Sequence, residues 1–177
     1  KILASRLDGS SLIDPDQSGF VCHRRTHDNL RCLIHLTEKA QEKLVPTLIV
    51  ALDAEKAFDR VDRGFLRKVL LKANLGPTFV KMIFANYQSP VSRISLNGRL
   101  SAPFPICRGT CQGCPLSPLL FALCKSLAET IWRDPGIAGV GFGGDAHKLI
   151  IYSDDIMLTL TNPTASLDGV LRCLQAF

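Results

Sequence analysis

Residues 47–58 read TLIVALDAEKAF, and residues 147–160 read HKLIIYSDDIMLTL. In the first stretch, Thr47 to Leu52 is an apolar, β-branched run of strand length, which predicts a strand buried on both faces with Asp53 at its end. In the second, His147 to Tyr152 and Ile156 to Leu160 are two short apolar runs separated by Ser153-Asp154-Asp155, which predicts a hairpin with two carboxylates at its tip. Pairing these strands in one sheet would bring Asp53, Asp154 and Asp155 together. Two carboxylates about 4 Å apart repel by roughly 4 kcal/mol at an effective dielectric near 20, so a cluster of three needs a cation to persist. Oxygen donors of high charge suit Mg²⁺. Two such ions can hold the attacking and leaving oxygens of an in-line phosphoryl displacement, so the pattern suggests nucleotidyl transfer. Two plainer readings stand beside it: an Asp-Asp pair that bonds its own turn backbone, and Asp53 as the N-cap of the helix-friendly Ala54-Glu55-Lys56-Ala57.

Outward from these stretches, Gly and Pro punctuate the chain. Residues 8–20, with Asp14-Pro15-Asp16 and Ser18-Gly19, read as a loop. From Thr26, the spacing of Leu30, Leu33, Ile34, Ala40 and Leu44 predicts an amphipathic helix that ends before Pro46. Phe65, Leu66, Val69, Leu70 and Ala73 predict a second helix, stopped by Gly76-Pro77, and Phe79, Val80, Ile83, Phe84 and Tyr87 a third. Ser92–Leu96 and Leu100–Ile106 flank Asn97-Gly98, a hairpin signal. Pro115–Arg133 reads as helix, closed by Asp134-Pro135-Gly136. This order is no regular βαβ alternation and predicts an α+β domain with an antiparallel sheet.

The 177 residues are enough to bury roughly 70% of the unfolded surface without disulfides or metal. With 46% hydrophobic and 21% charged residues, the composition excludes a disordered tail, a collagen and a disulfide miniature. The formal charge of +5 mildly favours a polyanionic partner. Seven cysteines scattered through apolar stretches are expected to be reduced core thiols in an intracellular setting, nuclear or cytoplasmic. Apolar runs such as Leu116–Cys124 are too short to span a bilayer and no secretory signal is seen, so no membrane partner is expected. The chain opens without Met and stops at Phe177 within a helical pattern, and is expected to be part of a longer protein.

Taken together, PDQSGF (15–20), HDNLR (27–31), ALDAEKAFDRV (51–61), RGTCQGCPLSPLLFAL (108–123) and YSDDIML (152–158) resemble the reverse transcriptase domain of LINE-type, non-LTR retrotransposons. The resemblance runs from Lys1 to Phe177 and implies a partial right-hand polymerase: fingers over about 1–46, palm over 47–76, a fingers-like helix and hairpin over 77–106, palm again over 107–177, thumb absent. It implies an RNA-directed DNA polymerase that takes an RNA template, a DNA primer and deoxynucleoside triphosphates, with two Mg²⁺ ions. Matched position by position, Asp53, Asp154 and Asp155 are the catalytic, metal-binding aspartates, and Ala54 offers its carbonyl to the metal. Phe58 matches the aromatic that lies under the incoming sugar and excludes a 2′-hydroxyl. Gln112 and Gly113 match the loop at the nascent base pair and nucleotide, and Arg24 a fingers arginine that meets phosphates.

Three departures from the family pattern stand out. Cys111 occupies a usual Arg position, Ser153 replaces a small Ala, and LCKSLA (123–128) is one residue short. A deletion inside a helix rotates every residue beyond it by about 100°, so that helix is expected to pack poorly. Ser153 is expected to be tolerated, but Cys111, the shortened helix and the absent thumb support a competing reading, a catalytically inactive remnant of a mobile element with loose nucleic-acid binding at most. Other motifs lack their context. Cys107, Cys111 and Cys114 have the C-x₃-C-x₂-C spacing of an iron–sulfur site but no repeated βα units around them, and Cys111-x₂-Cys114 has no second pair for zinc. Gly141–Asp145 lacks the Lys and the following helix of a phosphate loop and reads as a turn.

Overall fold

The structure is a computed structural model that describes residues 2–8, 12–110, 113–123 and 126–177. In chain order its elements are α1 (Ile2–Asp8), α2 (Thr26–Glu42), β1 (Thr47–Leu52), α3 (Ala57–Arg60), α4 (Arg63–Lys72) and α5 (Pro77–Ala85). Next come the short strands β2 (Val91–Ser92), β3 (Ser95–Leu96), β4 (Arg99–Leu100) and β5 (Phe104–Pro105), then α6 (Ser117–Ala122) and α7 (Ser126–Arg133). The chain closes with β6 (Ala138–Phe142), β7 (Asp145–His147), β8 (Leu149–Tyr152), β9 (Asp155–Thr161) and α8 (Pro163–Ala176). The expected mixture of helices and antiparallel sheet is present.

Strand β9 is central. It pairs with β1 along one edge; along the other it pairs with β8 through its first half and with β6 through its second. Its alternation divides the core. Leu158 and Leu160, with Leu48, Val50 and Leu52 of β1 and Leu149 and Ile151 of β8, pack against Ala128 and Ile131 of α7 and Val170 and Cys173 of α8. On the opposite face, Ile150, Val140 and Met157 meet Leu36 and Ala40 of α2. A helical cluster of α1, α4, α5 and α6 centred on Leu7, Leu66, Leu70, Ile83 and Leu120 forms the remaining core.

Several expectations need correction. β1 is not buried on both faces: as the sheet's edge strand it buries Leu48, Val50 and Leu52, while Ile49 is 44% exposed because α2 packs on β6 and β8. Gly76-Pro77 starts α5 rather than ending α4, with Gly76 as N-cap at φ 80° and Pro77 in the first turn. The helical stretch 115–133 is two helices. α6 ends at Ala122 and α7 runs from Ser126 and buries Ala128 and Ile131, while residues 124 and 125 of the shortened LCKSLA stretch lie outside the described residues. Of the described cysteines only Cys173 is buried, and Cys22 and Cys107 are exposed. The β6–β7 hairpin has its turn at Gly143 and Gly144, both at positive φ, where a turn is expected, but its glycine-rich strand carries no alternating apolar pattern.

A polar seam ties the loop at 12–20 to this frame. Trp132 Nε1 donates to Asp16 Oδ2 at 2.9 Å, and the Ile151 N–H donates to the Asp16 carbonyl at 3.1 Å. Buried Lys148 donates to the carbonyls of Trp132 and Asp134 at 3.0 and 3.1 Å. Burial pushes the Asp16 carboxyl above its ordinary value. The Trp132 hydrogen bond opposes this, the charge of Asp14 adds to it, and His147 and Arg24 pull it down.

Leu158 is fully buried, and Leu158→Ala is expected to lower unfolding free energy by about 2–5 kcal/mol in denaturant titration. A carboxyl raised in the folded state binds its proton more tightly there than when unfolded, so its ionisation costs stability at pH values above the raised value. Asp16→Asn keeps an acceptor for Trp132 and is expected to raise the melting temperature at pH 7. The gain should shrink as pH falls through the raised Asp16 value; a gain that grows on acidification would contradict the assigned shift.

Candidate active site

The β1–β9 ladder ends at Leu52↔Ile156, so Asp53 and Asp155 are the next residues on two hydrogen-bonded strands, which run about 4.8 Å apart. Asp155 also opens the β8–β9 hairpin opposite Tyr152, leaving Ser153 and Asp154 as its two-residue turn. Asp53 and Asp155 are exposed and Asp154 is half-buried. The sheet therefore brings all three acidic residues to one end. Among the described residues no group of three or more His, Cys, Asp or Glu forms a ready-made ion site. Mutual repulsion gives bare carboxylates no reason to close on one another. In donor type the set fits a hard divalent cation, since all three side chains offer oxygen only, two from paired strand ends and Asp154 from the tight turn beside them.

Beyond Asp53 the chain turns at once. The Ala57 N–H donates to the Ala54 carbonyl at 3.1 Å, Lys56 sits at φ 53°, and α3 follows. This presents Phe58, whose ring lies 4.6 Å from that of Phe121. Phe58, Gly113, Phe20 and Pro115 line one cavity of about 600 Å³, so two of the expected nucleotide-binding residues share a hollow. Gly113 has φ +79°, and among the described residues beyond its chain neighbours no atom lies within 4 Å of where a Cβ would stand. Gln112 and Cys111 lie outside the described residues. A second cavity, of about 370 Å³, is lined by Gln17, Ala54, Ser153, Asp154, Phe121 and Ile156 among others.

The loop leading to Gly113 is laid against α3. Gly109 and Thr110 donate to the carbonyls of Val61 and Phe58, each at 2.9 Å. A Cβ on Gly109 would come within 2.9 Å of the Asp59 backbone, so only glycine permits this approach. Arg63 of α4 fastens the same loop, donating to the carbonyls of Ile106, Arg108 and Gly109 and stacking on Tyr87. Arg24 is occupied in a comparable way. Its Nη1 donates to the carbonyls of Asp14, Pro15 and Gln17 and so pins the 14–17 loop.

One functional residue escaped the sequence reading. Gln17 carries no role there, yet its side chain grips the turn that bears Asp154. Its Nε2 donates to the Ser153 carbonyl at 3.0 Å, and its Oε1 accepts from the Ser153 N–H at 2.7 Å and the Gly19 N–H at 2.8 Å. The available signal was a Gln and Gly in PDQSGF, within a loop having no apolar pattern; Ser153, which both meet, lies 136 residues beyond Gln17.

Comparison with known proteins accords with this geometry. A family profile described as reverse transcriptase (RNA-dependent DNA polymerase) matches residues 1–177. The chain is 31% identical to the Transposon TX1 uncharacterized 149 kDa protein of Xenopus laevis, over 95% of this chain and 13% of that protein. It is 27% identical to the Pol polyprotein of the type-1 retrotransposable element R2 of Nasonia vitripennis, over 99% of this chain and 17% of that one. The chain thus spans less than a fifth of the length of these curated relatives. In fold it is similar to apo telomerase from Candida tropicalis, with a TM-score of 0.65 at 12% identity over 98% of this chain and 35% of that chain. Telomerase from Candida albicans, solved with a TWJ fragment of telomeric RNA, has a TM-score of 0.55 at 13% identity, over 98% and 32%. With aspartates gathered at one sheet end and a family match along its whole length, the chain belongs to the reverse transcriptase family, among the domains of LINE-type, non-LTR retrotransposons.

Proposed function

We propose that this chain is the fingers and palm part of an RNA-directed DNA polymerase, which adds deoxynucleotides to the 3′-hydroxyl of a DNA primer along an RNA template. The observation that carries the reading is the β1–β9 register, which sets Asp53 beside Asp155 in a chain matched by the family from end to end. In this reading residues 1–46 and 77–106 are fingers segments, and 47–76 and 107–177 form the palm.

Asp53, Asp154 and Asp155 would hold two Mg²⁺ ions, with the Ala54 carbonyl as a further oxygen. When bound, such ions lower the pKa of an attacking hydroxyl and neutralise the leaving phosphate oxygens. The remaining work belongs to the chain's own residues. Phosphoryl transfer asks a protein mostly for positioning, which strand ends supply better than loops. Phe58 is held by Phe121 and opens onto the cavity shared with Gly113, where it would lie under the nucleotide sugar. Gln112 would stand at the nascent base pair. Arg24 would act at the fingers base, with Nη1 on the loop carbonyls and the rest of its guanidinium left for phosphate. The +5 charge suits a nucleic-acid backbone. No helix among the described residues is long and apolar enough to cross a membrane.

The test is primer extension by the purified chain with an RNA template, a DNA primer, Mg²⁺ and deoxynucleotides. Asp154→Asn and Asp53→Asn are each expected to lower the rate by at least roughly 10²-fold. Equal rates in parent and variants would refute the assignment, and a folded parent without extension would favour the inactive remnant. In the same assay Phe58→Val is expected to raise ribonucleotide use relative to deoxynucleotides by about 10-fold or more.

A further inference from the structure

We infer that Gln17 is a positioning residue for the catalytic turn: its side-chain amide sets the backbone conformation of Ser153 and, through it, the placement of Asp154 and Asp155. This rests on the polymerase reading, since it concerns the carboxylates that reading makes catalytic.

Ser153 is the first of two residues in a tight hairpin turn and sits at φ 59°, the left-handed region that such turns normally reserve for Gly or Asn. Asp154, the second, is not among the positive-φ residues. Nothing in the Ser153 side chain favours this conformation, because its hydroxyl is buried and has no hydrogen-bond partner among the described residues. The restraint comes from outside the hairpin. The Ser153 N–H belongs to the peptide before its Cα and the Ser153 carbonyl to the peptide after it; Gln17 holds both on one planar amide, at 2.7 and 3.0 Å. Fixing both peptide planes fixes φ and ψ of Ser153, and hence where the chain carries Asp154. The amide orientation is determined by its partners, since two N–H groups point at Oε1 and one carbonyl at Nε2.

The clamp itself has a rigid base. Gln17 is 3% exposed and forms a parallel bridge with Ile151, with Ser18 N–H donating to the Ile151 carbonyl at 2.9 Å and Ile151 N–H donating to the Asp16 carbonyl at 3.1 Å. Asn29 of α2 adds Nδ2 donation to Ser18 Oγ at 2.6 Å and to the Ile151 carbonyl at 3.2 Å. Gly19 completes the fit: a Cβ there would lie 2.3 Å from the Ser153 nitrogen, so any larger residue would push the loop off the turn. The loop is therefore fitted to the turn at Gln17 and Gly19, with Ser18 between them fastened to Ile151 of β8.

The test compares the parent chain with Gln17→Met, which keeps volume and loses both polar groups, and with Gln17→Met combined with Ser153→Gly. Glycine takes positive φ without help, so it should hold the turn when the clamp is gone. Mn²⁺ binding followed by electron paramagnetic resonance, with thermal melting as a folding control, is the primary readout. Gln17→Met is expected to weaken Mn²⁺ binding by about 10-fold or more, and to lower the kcat of primer extension similarly with KM for nucleotide little changed. The Ser153→Gly combination should recover most of both losses. A folded Gln17→Met chain that binds Mn²⁺ like the parent overturns the inference, as does a loss that glycine does not rescue. Should Gln17→Met fail to fold, a folded double variant with parental Mn²⁺ affinity supports the clamp, and an unfolded one assigns Gln17 to general stability instead. A parent whose Mn²⁺ binding is indifferent to Asp154→Asn overturns the polymerase reading first, which separates the two failures.

Discussion

The antiparallel ladder between β1 and β9 decides which side chains meet at the end of the sheet: backbone hydrogen bonds pair the strands, and the buried apolar face selects their register. Six residues of β1 pair in unbroken register with β9, so Leu52 faces Ile156 and the next residue outward on each strand is acidic. A slip of one residue would turn Leu48, Val50 and Leu52 away from α7 and α8 and expose them. The apolar contacts that stabilise the sheet therefore also specify the position of Asp53 relative to Asp155. Core packing and site geometry share one cause.

The hairpin end needs more than pairing. Its turn places a serine where glycine is favoured, and the groups that hold it there come from a loop more than 130 residues earlier in the chain. That loop is in turn fastened by Arg24, Asn29 and Trp132, each donating to its backbone or side chains. The loop before Gly113 obeys the same principle, with Arg63 collecting three carbonyls and Gly109 allowing backbone to lie on backbone. Irregular segments are thus held near the candidate site by long side chains and by close backbone contacts, which satisfy polar groups that secondary structure leaves unpaired.

Particular elements show how much was legible in advance. The strand at 47–52 and the hairpin around Ser153-Asp154 are visible as short apolar runs, and the helices at 26–42 and 63–72 as apolar patterns of period near 3.6 residues. Gly139 and Gly141 dilute β6, so no alternation marks it, and its pairing with β9 arises from contact rather than propensity. The exposure of Ile49 likewise depends on which strands α2 happens to cover.

By itself the sequence determined the chemical inventory: three aspartates at apolar strand ends, a family-like order of five motifs, and an α+β composition. These are local or one-dimensional properties, carried by residue type and spacing. Only the tertiary structure decided that β1 is an edge, that β9 is shared among three partners, and that Gln17 reaches Ser153. Such facts depend on contacts between residues far apart in the chain, whose selection is made by packing and by the need to satisfy buried backbone groups. No local pattern encodes them.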